Sequence, residues 1–339
     1  MSEKQNSEQI ITIVGAGSWG LTLAWLFAQS ENQVVLYTGN KEKLDKLNKH
    51  HKLDKPVKVD FIQNKVTFTD NLTFAVSQAN IIVFCCTSQS MRDLTKRVAL
   101  NLKEENSQAI LVSAVKGLEL DSLKRMSEVI EQELPGFELC VLSGPNLAKE
   151  ILQGLPTAAV IASKNASAAL AVQKYLSVPK FRLYTNADVI GVELGGTLKN
   201  VIAIAAGCAD GLNLGANAKA ALITRGLAEI SRLALLLGAK PITLAGLAGM
   251  GDLLATCSSP FSRNYHLGLE RAKGKSLQSI LKETGAVIEG ITTTAAVCKL
   301  SQNLNIELPI AKLVQAFLDG SLSPSEAIMT LMNRPLISE

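Results

Sequence analysis

The sequence predicts an α/β protein in which an N-terminal domain built on a parallel sheet is followed by an all-helical C-terminal domain. Three observations carry this reading. Short β-branched runs alternate with helical patterns through the first half. One of those runs ends in a glycine-rich turn that opens a helix. After about residue 188 the β-branched runs give way to Ala/Leu/Gly-rich segments with helical spacing. The chain has 339 residues, 47% of them apolar, enough for a large core and, at roughly 100–200 residues each, for two domains. The change of character sets the expected boundary: 1–188 and 189–339, with no flexible linker and no internal repeat.

The first strand is Ile10–Val14, continuous, β-branched and closed by glycine. A helix follows from Ser18 to about Ser30, then a strand at Val34–Tyr37 and a helix at Lys41–Lys49. Ile81–Cys86 is the third strand, ahead of a helix at Met91–Leu100. Ala109–Ala114, Glu138–Leu142 and Ala158–Ile161 complete the predicted set, all parallel with helices on both faces. In the second half, helical spacing covers 188–207, 216–238, 241–254, 261–273, 276–284, 290–303, 309–319 and 323–332. Glycine and proline punctuate it, as at Gly238-Ala239-Lys240-Pro241 and Leu308-Pro309.

Composition removes several function classes. Net charge is only +4, with the 34 Lys and Arg spread along the chain, and 4% of residues are aromatic, so neither a basic stripe nor a base-stacking platform supports nucleic-acid binding. Six cysteines without a Cys-x-x-Cys, and three histidines, fit buried reduced thiols rather than a metal site. Met1–Gln9 is polar and carries both signs, unlike a signal peptide. Leu21–Ala28 and Val201–Ala206 are too short to cross a bilayer. No integral membrane segment and a cytoplasmic location are expected.

Gly15-Ala16-Gly17-Ser18-Trp19-Gly20 has the G-x-G-x-x-G spacing, directly after a predicted strand and opening a predicted helix. In a Rossmann-type domain the first glycine makes the tight turn. The second admits a pyrophosphate, the third allows close helix–strand packing, and the helix N-terminus supplies amides. The alternative is a plain structural βα turn. The second strand ends Tyr37-Thr38-Gly39-Asn40-Lys41, without the Asp or Glu that would hold a ribose 2′-hydroxyl. NADP is therefore permitted, with Lys41 or Lys43 available to neutralise a 2′-phosphate unless both simply form a solvated helix face.

Lys116 follows the fourth strand, at the carboxyl edge where open α/β sheets bind ligands; an ordinary surface lysine is the alternative. Ser143-Gly144-Pro145-Asn146 also ends a strand, as a ligand-approaching loop or a helix-starting turn. Between 189 and 207 the only charges are Glu193 and Lys199, in an apolar, small-residue helix. Gly195 and Gly196 weaken that helix by roughly 1 kcal/mol each against Ala, which points to close approach of a backbone or ligand. A desolvated Lys199 would serve as a proton acceptor near neutral pH, or else pair structurally with Glu193. Further on, Asp252 lies between glycines and leucines, and Ser262-Arg263-Asn264 offers phosphate donors at a helix start, unless Ser262 is only a cap. Val287-Ile288-Glu289-Gly290 places a carboxylate where another helix opens.

These segments, with Asp210-Gly211 and Asn217–Gly226, occur in one order along residues 10–334. Together the chain closely resembles the bacterial-type NAD(P)-dependent glycerol-3-phosphate dehydrogenases. The resemblance implies a 6-phosphogluconate-dehydrogenase-like fold. It also implies reversible reduction of dihydroxyacetone phosphate to sn-glycerol 3-phosphate, feeding phospholipid synthesis. It implies Lys199 as the catalytic proton acceptor or donor. Substrate contacts would be Lys116, Gly144, Asn146, Lys199, Asn200, Asp252, Ser262, Arg263 and Asn264. Cofactor contacts would be Gly15, Gly17, Ser18, Trp19, Gly20, Lys116, Ala148, Arg263, Val287 and Glu289. The cofactor would be NADP or NAD, with a lean to NADPH, the substrate a small phosphorylated molecule, and the assembly a homodimer. The chain departs from the family's pattern at Gly39, where His or Arg is frequent near the 2′-phosphate. It also departs at Asn146, Leu147 and Cys85-Cys86-Thr87. Two rival readings are a related hydroxy-acid dehydrogenase and a non-catalytic dinucleotide sensor. The first would lack the Ser262-Arg263-Asn264 donors, and the second would be marked by loss of the lysine or arginine.

Overall fold

The structure, a computed structural model, describes residues 9–62, 64–102 and 108–333. The chain divides into two compact units, residues 1–115 with 126–189, and residues 116–125 with 190–339.

Among its described residues the first unit carries ten strands: β1 (Ile10–Val14), β2 (Gln33–Tyr37), β3 (Lys52–Leu53), β4 (Val59–Asp60), β5 (Val66–Thr69), β6 (Ile81–Phe84), β7 (Ile110–Ser113), β8 (Leu139–Ser143), β9 (Thr157–Ala162) and β10 (Phe181–Asn186). β3 and β4 form a small hairpin; the other eight make one sheet, in the order β10-β9-β8-β7-β6-β1-β2-β5. Six strands from β5 to β8 run parallel. β1 lies between β2 and β6, so strand order reverses there, and the carboxyl end of β1 opens on the crevice where such sheets bind ligands.

Alternation within β6 covers both faces. Ile81 and Val83 join one apolar cluster with Ile11, Ile13 and Leu21, whereas Ile82 and Phe84 join another with Met91, Val98 and Ile130. A strand buried on both sides reads as a continuous apolar run, as this one does.

The expectation of a wholly parallel sheet is corrected at one place: β9 pairs antiparallel with β8. The helix between them, Ala148–Leu152, has five residues and rises only about 7.5 Å. It cannot carry the chain back along a strand of about 17 Å, so the chain turns straight into β9. β10 then runs parallel to β9.

In the second unit the helix Val189–Gly211 is followed by Gly215–Leu236, Pro241–Leu244, Asp252–Ser258, Arg263–Ala272, Leu277–Thr284, Glu289–Asn303, Pro309–Asp319 and Pro324–Met332. Among its described residues the only extended pairing is a single bridge, Leu118 to Arg125. Leu194, Leu198, Ile202, Leu253, Leu267 and Val297 lie in one buried cluster. Val189–Gly211 is long and apolar enough to cross a membrane by length and composition, yet 89% of its most apolar window is buried. That is how the core helix of a helical unit reads. The helix expected over 241–254 is broken: a π turn at Leu247–Gly251 separates Pro241–Leu244 from Asp252–Ser258. Gly246, Gly249 and Gly251 interrupt the regular ladder there.

Candidate active site

The glycine turn of the first unit joins β1 to the helix Ser18–Phe27. Gly15 has φ +119, and a Cβ there would lie 2.6 Å from the Cys85 carbonyl oxygen; one on Gly20 would lie 1.9 Å from the Gly15 carbonyl oxygen. Both positions demand glycine. The helix is capped by Gly17, which has no side chain to accept from the first-turn amides, so those donors face outward at the positive end of the helix. This is the donor arrangement that suits a pyrophosphate, and the residues present fit a dinucleotide.

In the second unit Asp252 is buried and joins two lysines. Lys116 Nζ donates to Asp252 Oδ2 at 2.6 Å, and Lys199 Nζ donates to Asp252 Oδ1. Lys199 also donates to Thr256 Oγ1 at 2.6 Å. Burial strips water from the Lys199 ammonium and lowers its pKa from 10.5 to about 8, with Asp252 pulling upward and Lys116 pushing down. The result is a lysine that changes charge close to neutral pH, held by a carboxylate on one side and a hydroxyl on another. Glu193, the partner considered from sequence, instead accepts from Arg125 at 2.9 Å.

Local packing explains how a residue at 252 reaches one at 199. On Gly195, one turn before Lys199, a Cβ would lie 2.7 Å from the Ala248 carbonyl oxygen and 3.0 Å from Gly249 Cα. The missing side chain lets the π turn sit directly on the long helix and delivers Asp252 to Lys199. Gly→Ala inside a helix ordinarily stabilises by about 1 kcal/mol. At this site the clash reverses the sign, and Gly195→Ala is expected to destabilise by about 1–3 kcal/mol. A thermal melt measures it, and an unchanged or raised midpoint would contradict the packing.

A second group of donors surrounds the start of the helix Arg263–Ala272. Ser262 Oγ caps it, accepting from Tyr265 N at 3.2 Å, so the cap alternative holds for its oxygen. Arg263 Nη1 donates to the Val287 carbonyl at 2.6 Å. Asn264 Nδ2 donates to Asn200 Oδ1 at 2.8 Å, while Asn264 Oδ1 accepts from Gly290 N at 2.9 Å. That asparagine ties the long helix to the opening of Glu289–Asn303.

Of the residues singled out from sequence, Lys116, Lys199, Asn200, Asp252, Ser262, Arg263, Asn264, Val287 and Glu289 fall in the second unit, and Gly15, Gly17, Ser18, Trp19, Gly20, Gly144, Asn146 and Ala148 in the first. Gly144 and Asn146 follow β8, with Asn146 Nδ2 donating to the Ala158 carbonyl at 3.2 Å; Ala148 opens the next helix. Sequence reasoning missed Thr256. Its signal was its place four residues after Asp252, on the same face of a helix, hidden because the helix was read as ending at 254.

The profile of the NAD-dependent glycerol-3-phosphate dehydrogenase N-terminus matches residues 10–169, and that of the C-terminus matches residues 188–329. The chain belongs to this glycerol-3-phosphate dehydrogenase family. It is 44% identical over 327 residues to glycerol-3-phosphate dehydrogenase [NAD(P)+] of Thermoanaerobacter sp. (strain X514), covering 96% of this chain and 97% of that protein. With the enzyme of the same description from Carboxydothermus hydrogenoformans the identity is 42%, covering 96% of each. The crystal structure of glycerol-3-phosphate dehydrogenase from Coxiella burnetii superposes with a TM-score of 0.90 at 34% identity, covering 96% of this chain and 99% of that one. A ketopantoate reductase of Ralstonia eutropha, at 14% identity and a TM-score of 0.60, shares the fold alone.

Proposed function

We propose that this protein is an oxidoreductase interconverting dihydroxyacetone phosphate and sn-glycerol 3-phosphate with NAD(P)H, and that it supplies glycerol 3-phosphate for phospholipid synthesis. The observation that carries the reading is the buried Lys199 ammonium held by Asp252 and Thr256 in a chain of this family. When bound, the nicotinamide supplies or accepts the hydride at C2 of the substrate. The remaining work falls to the protein's own groups. In oxidation the C2 hydroxyl must lose a proton as the hydride leaves, and neutral Lys199 takes it; in reduction the ammonium returns it. Asp252 and Thr256 hold Nζ in place, and Lys116 adds positive charge beside it.

Arg263, Ser262 and Asn264 supply guanidinium, hydroxyl and amide donors for the substrate phosphate, with Lys116, Gly144, Asn146 and Asn200 as further substrate contacts. The glycine turn Gly15–Gly20 takes the dinucleotide pyrophosphate, with Ala148, Val287 and Glu289 as further cofactor contacts. A homodimer belongs to the same proposal, with exposed Leu235, Leu236 and Ile242 of the helical unit as apolar surface for it, and so does a cytoplasmic location.

The test is oxidation of NADPH and NADH by the purified protein with dihydroxyacetone phosphate, against unphosphorylated dihydroxyacetone and a 2-oxo acid. Turnover confined to the phosphorylated ketone supports the proposal. Turnover with the 2-oxo acid overturns it in favour of the hydroxy-acid reading, and dinucleotide binding without turnover in favour of a sensor.

The pH dependence has a definite sign. With Lys199 titrating at about 8, glycerol 3-phosphate oxidation should rise as pH climbs through that value. Ketone reduction, which needs the ammonium, should fall over the same range. Profiles of kcat in both directions measure this, and parallel rather than opposed profiles would remove Lys199 from the proton step.

A further inference from the structure

The carboxyl end of β2 offers no carboxylate. It runs Tyr37-Thr38-Gly39-Asn40, and the one side-chain amide oxygen there already accepts a hydrogen bond, because Asn40 Oδ1 caps the helix Lys41–His50 by accepting from Lys43 N at 2.8 Å. A ribose bearing a free 2′-hydroxyl would find no acid to accept from it, the device an NAD-selective site uses.

From the first turn of that helix the Lys43 side chain reaches across to the glycine turn, where Nζ donates to the Ala16 carbonyl at 2.7 Å. Ala16 is the residue between the first two glycines of the dinucleotide turn. The ammonium is thus anchored to the element that receives the dinucleotide, not swinging free on a solvated face. This contact uses one of three ammonium donors. Partial burial lowers the Lys43 pKa from its usual value, and among the described residues no carboxylate pairs with the ammonium. Of the other cations near this strand end, Lys41 is exposed on the helix surface, and Arg97 is engaged elsewhere: Nη2 donates to the Tyr37 hydroxyl at 2.6 Å, and its guanidinium lies over that ring.

We propose that Lys43 is the residue that selects the 2′-phosphorylated dinucleotide, its ammonium held against the glycine turn by the Ala16 carbonyl and donating to the 2′-phosphate. The inference rests on the dinucleotide reading above and adds to it a direction, NADPH over NADH, and the side chain responsible. The choice would then come from a helix residue behind the strand rather than from the strand end itself.

The experiment is equilibrium binding of NADPH, NADH, 2′,5′-ADP and 5′-AMP, by calorimetry, to the wild-type protein and to Lys43→Met and Lys43→Arg. Methionine keeps an unbranched stem and removes the charge. Loss of a charge-assisted hydrogen bond to phosphate should weaken NADPH and 2′,5′-ADP by roughly ten- to a hundredfold. NADH and 5′-AMP should stay within about twofold, and Lys43→Arg should recover most of the NADPH affinity. Equal weakening of NADPH and NADH would overturn the proposal, because it would make Lys43 a prop for the turn. Unchanged NADPH affinity in Lys43→Met would overturn it too. A wild-type protein that binds NADH but not NADPH refutes this inference and leaves the dehydrogenase reading standing. One that binds neither dinucleotide refutes the reading beneath it.

Discussion

Replacing Lys199 with alanine is expected to lower turnover of dihydroxyacetone phosphate by about 10²–10⁴-fold, the usual contribution of a positioned proton donor, while NADPH still binds. The reason is local. Thr256 beside it carries a hydroxyl with no accessible second charge state, and Lys116 bonds the far oxygen of Asp252. Neither can stand in at the position Nζ holds. The substitution also leaves Asp252 with Lys116 as counter-ion, so loss of activity should not be loss of fold. Steady-state kinetics together with a dinucleotide titration read the two effects apart. Wild-type turnover in Lys199→Ala would end the assignment of the proton step.

Asp252→Asn should do more damage, and of a different kind. The carboxylate is buried between two ammonium groups, and removing one partner of a buried pair typically costs about 3–5 kcal/mol. The variant should therefore melt well below the wild type. It should also titrate differently. Asp252 is what pulls the Lys199 pKa upward against burial and against Lys116; without it the value falls further below about 8. Lys199 then gives up its proton at lower pH than in the wild type, so the fall of ketone reduction and the rise of alcohol oxidation should both move towards acid. The pH–rate profiles of the variant check this, and an unmoved midpoint would show that Asp252 does not set the lysine's charge.

Much of the first unit is legible in the chain because β-branched continuity and glycine spacing are both local signals. Ile10–Val14 followed by Gly15, Gly17 and Gly20 announces strand, turn and helix together. Direction is not local. Nothing in Thr157–Ala162 says that it runs against Leu139–Ser143, and only the shortness of the intervening helix decides it. β5 and β10 escaped because edge strands alternate: Phe181-Arg182-Leu183-Tyr184 buries every second side chain and puts charge on the other face, which interrupts any apolar run. In the site, Lys199 stood out by its solitude among apolar neighbours. Its partner could not be read, because Glu193 lies close in sequence and Asp252 is 53 residues away. Thr256, one turn after Asp252, stayed out of view because the helical pattern was read as ending at 254, whereas the helix runs on to Ser258.

The excursion of residues 116–125 into the second unit bears on how such a protein can change over generations. Lys116, the companion of Asp252, is encoded inside the stretch that otherwise builds the sheet. A recombination event that swapped everything beyond residue 189 for a foreign helical half would keep the native Lys116 and confront it with a new acid, new spacing and a new lysine. Shuffling of whole modules, the usual freedom of a two-part enzyme, is thereby restricted: the ten-residue insert and the helical half must be inherited as a matched set.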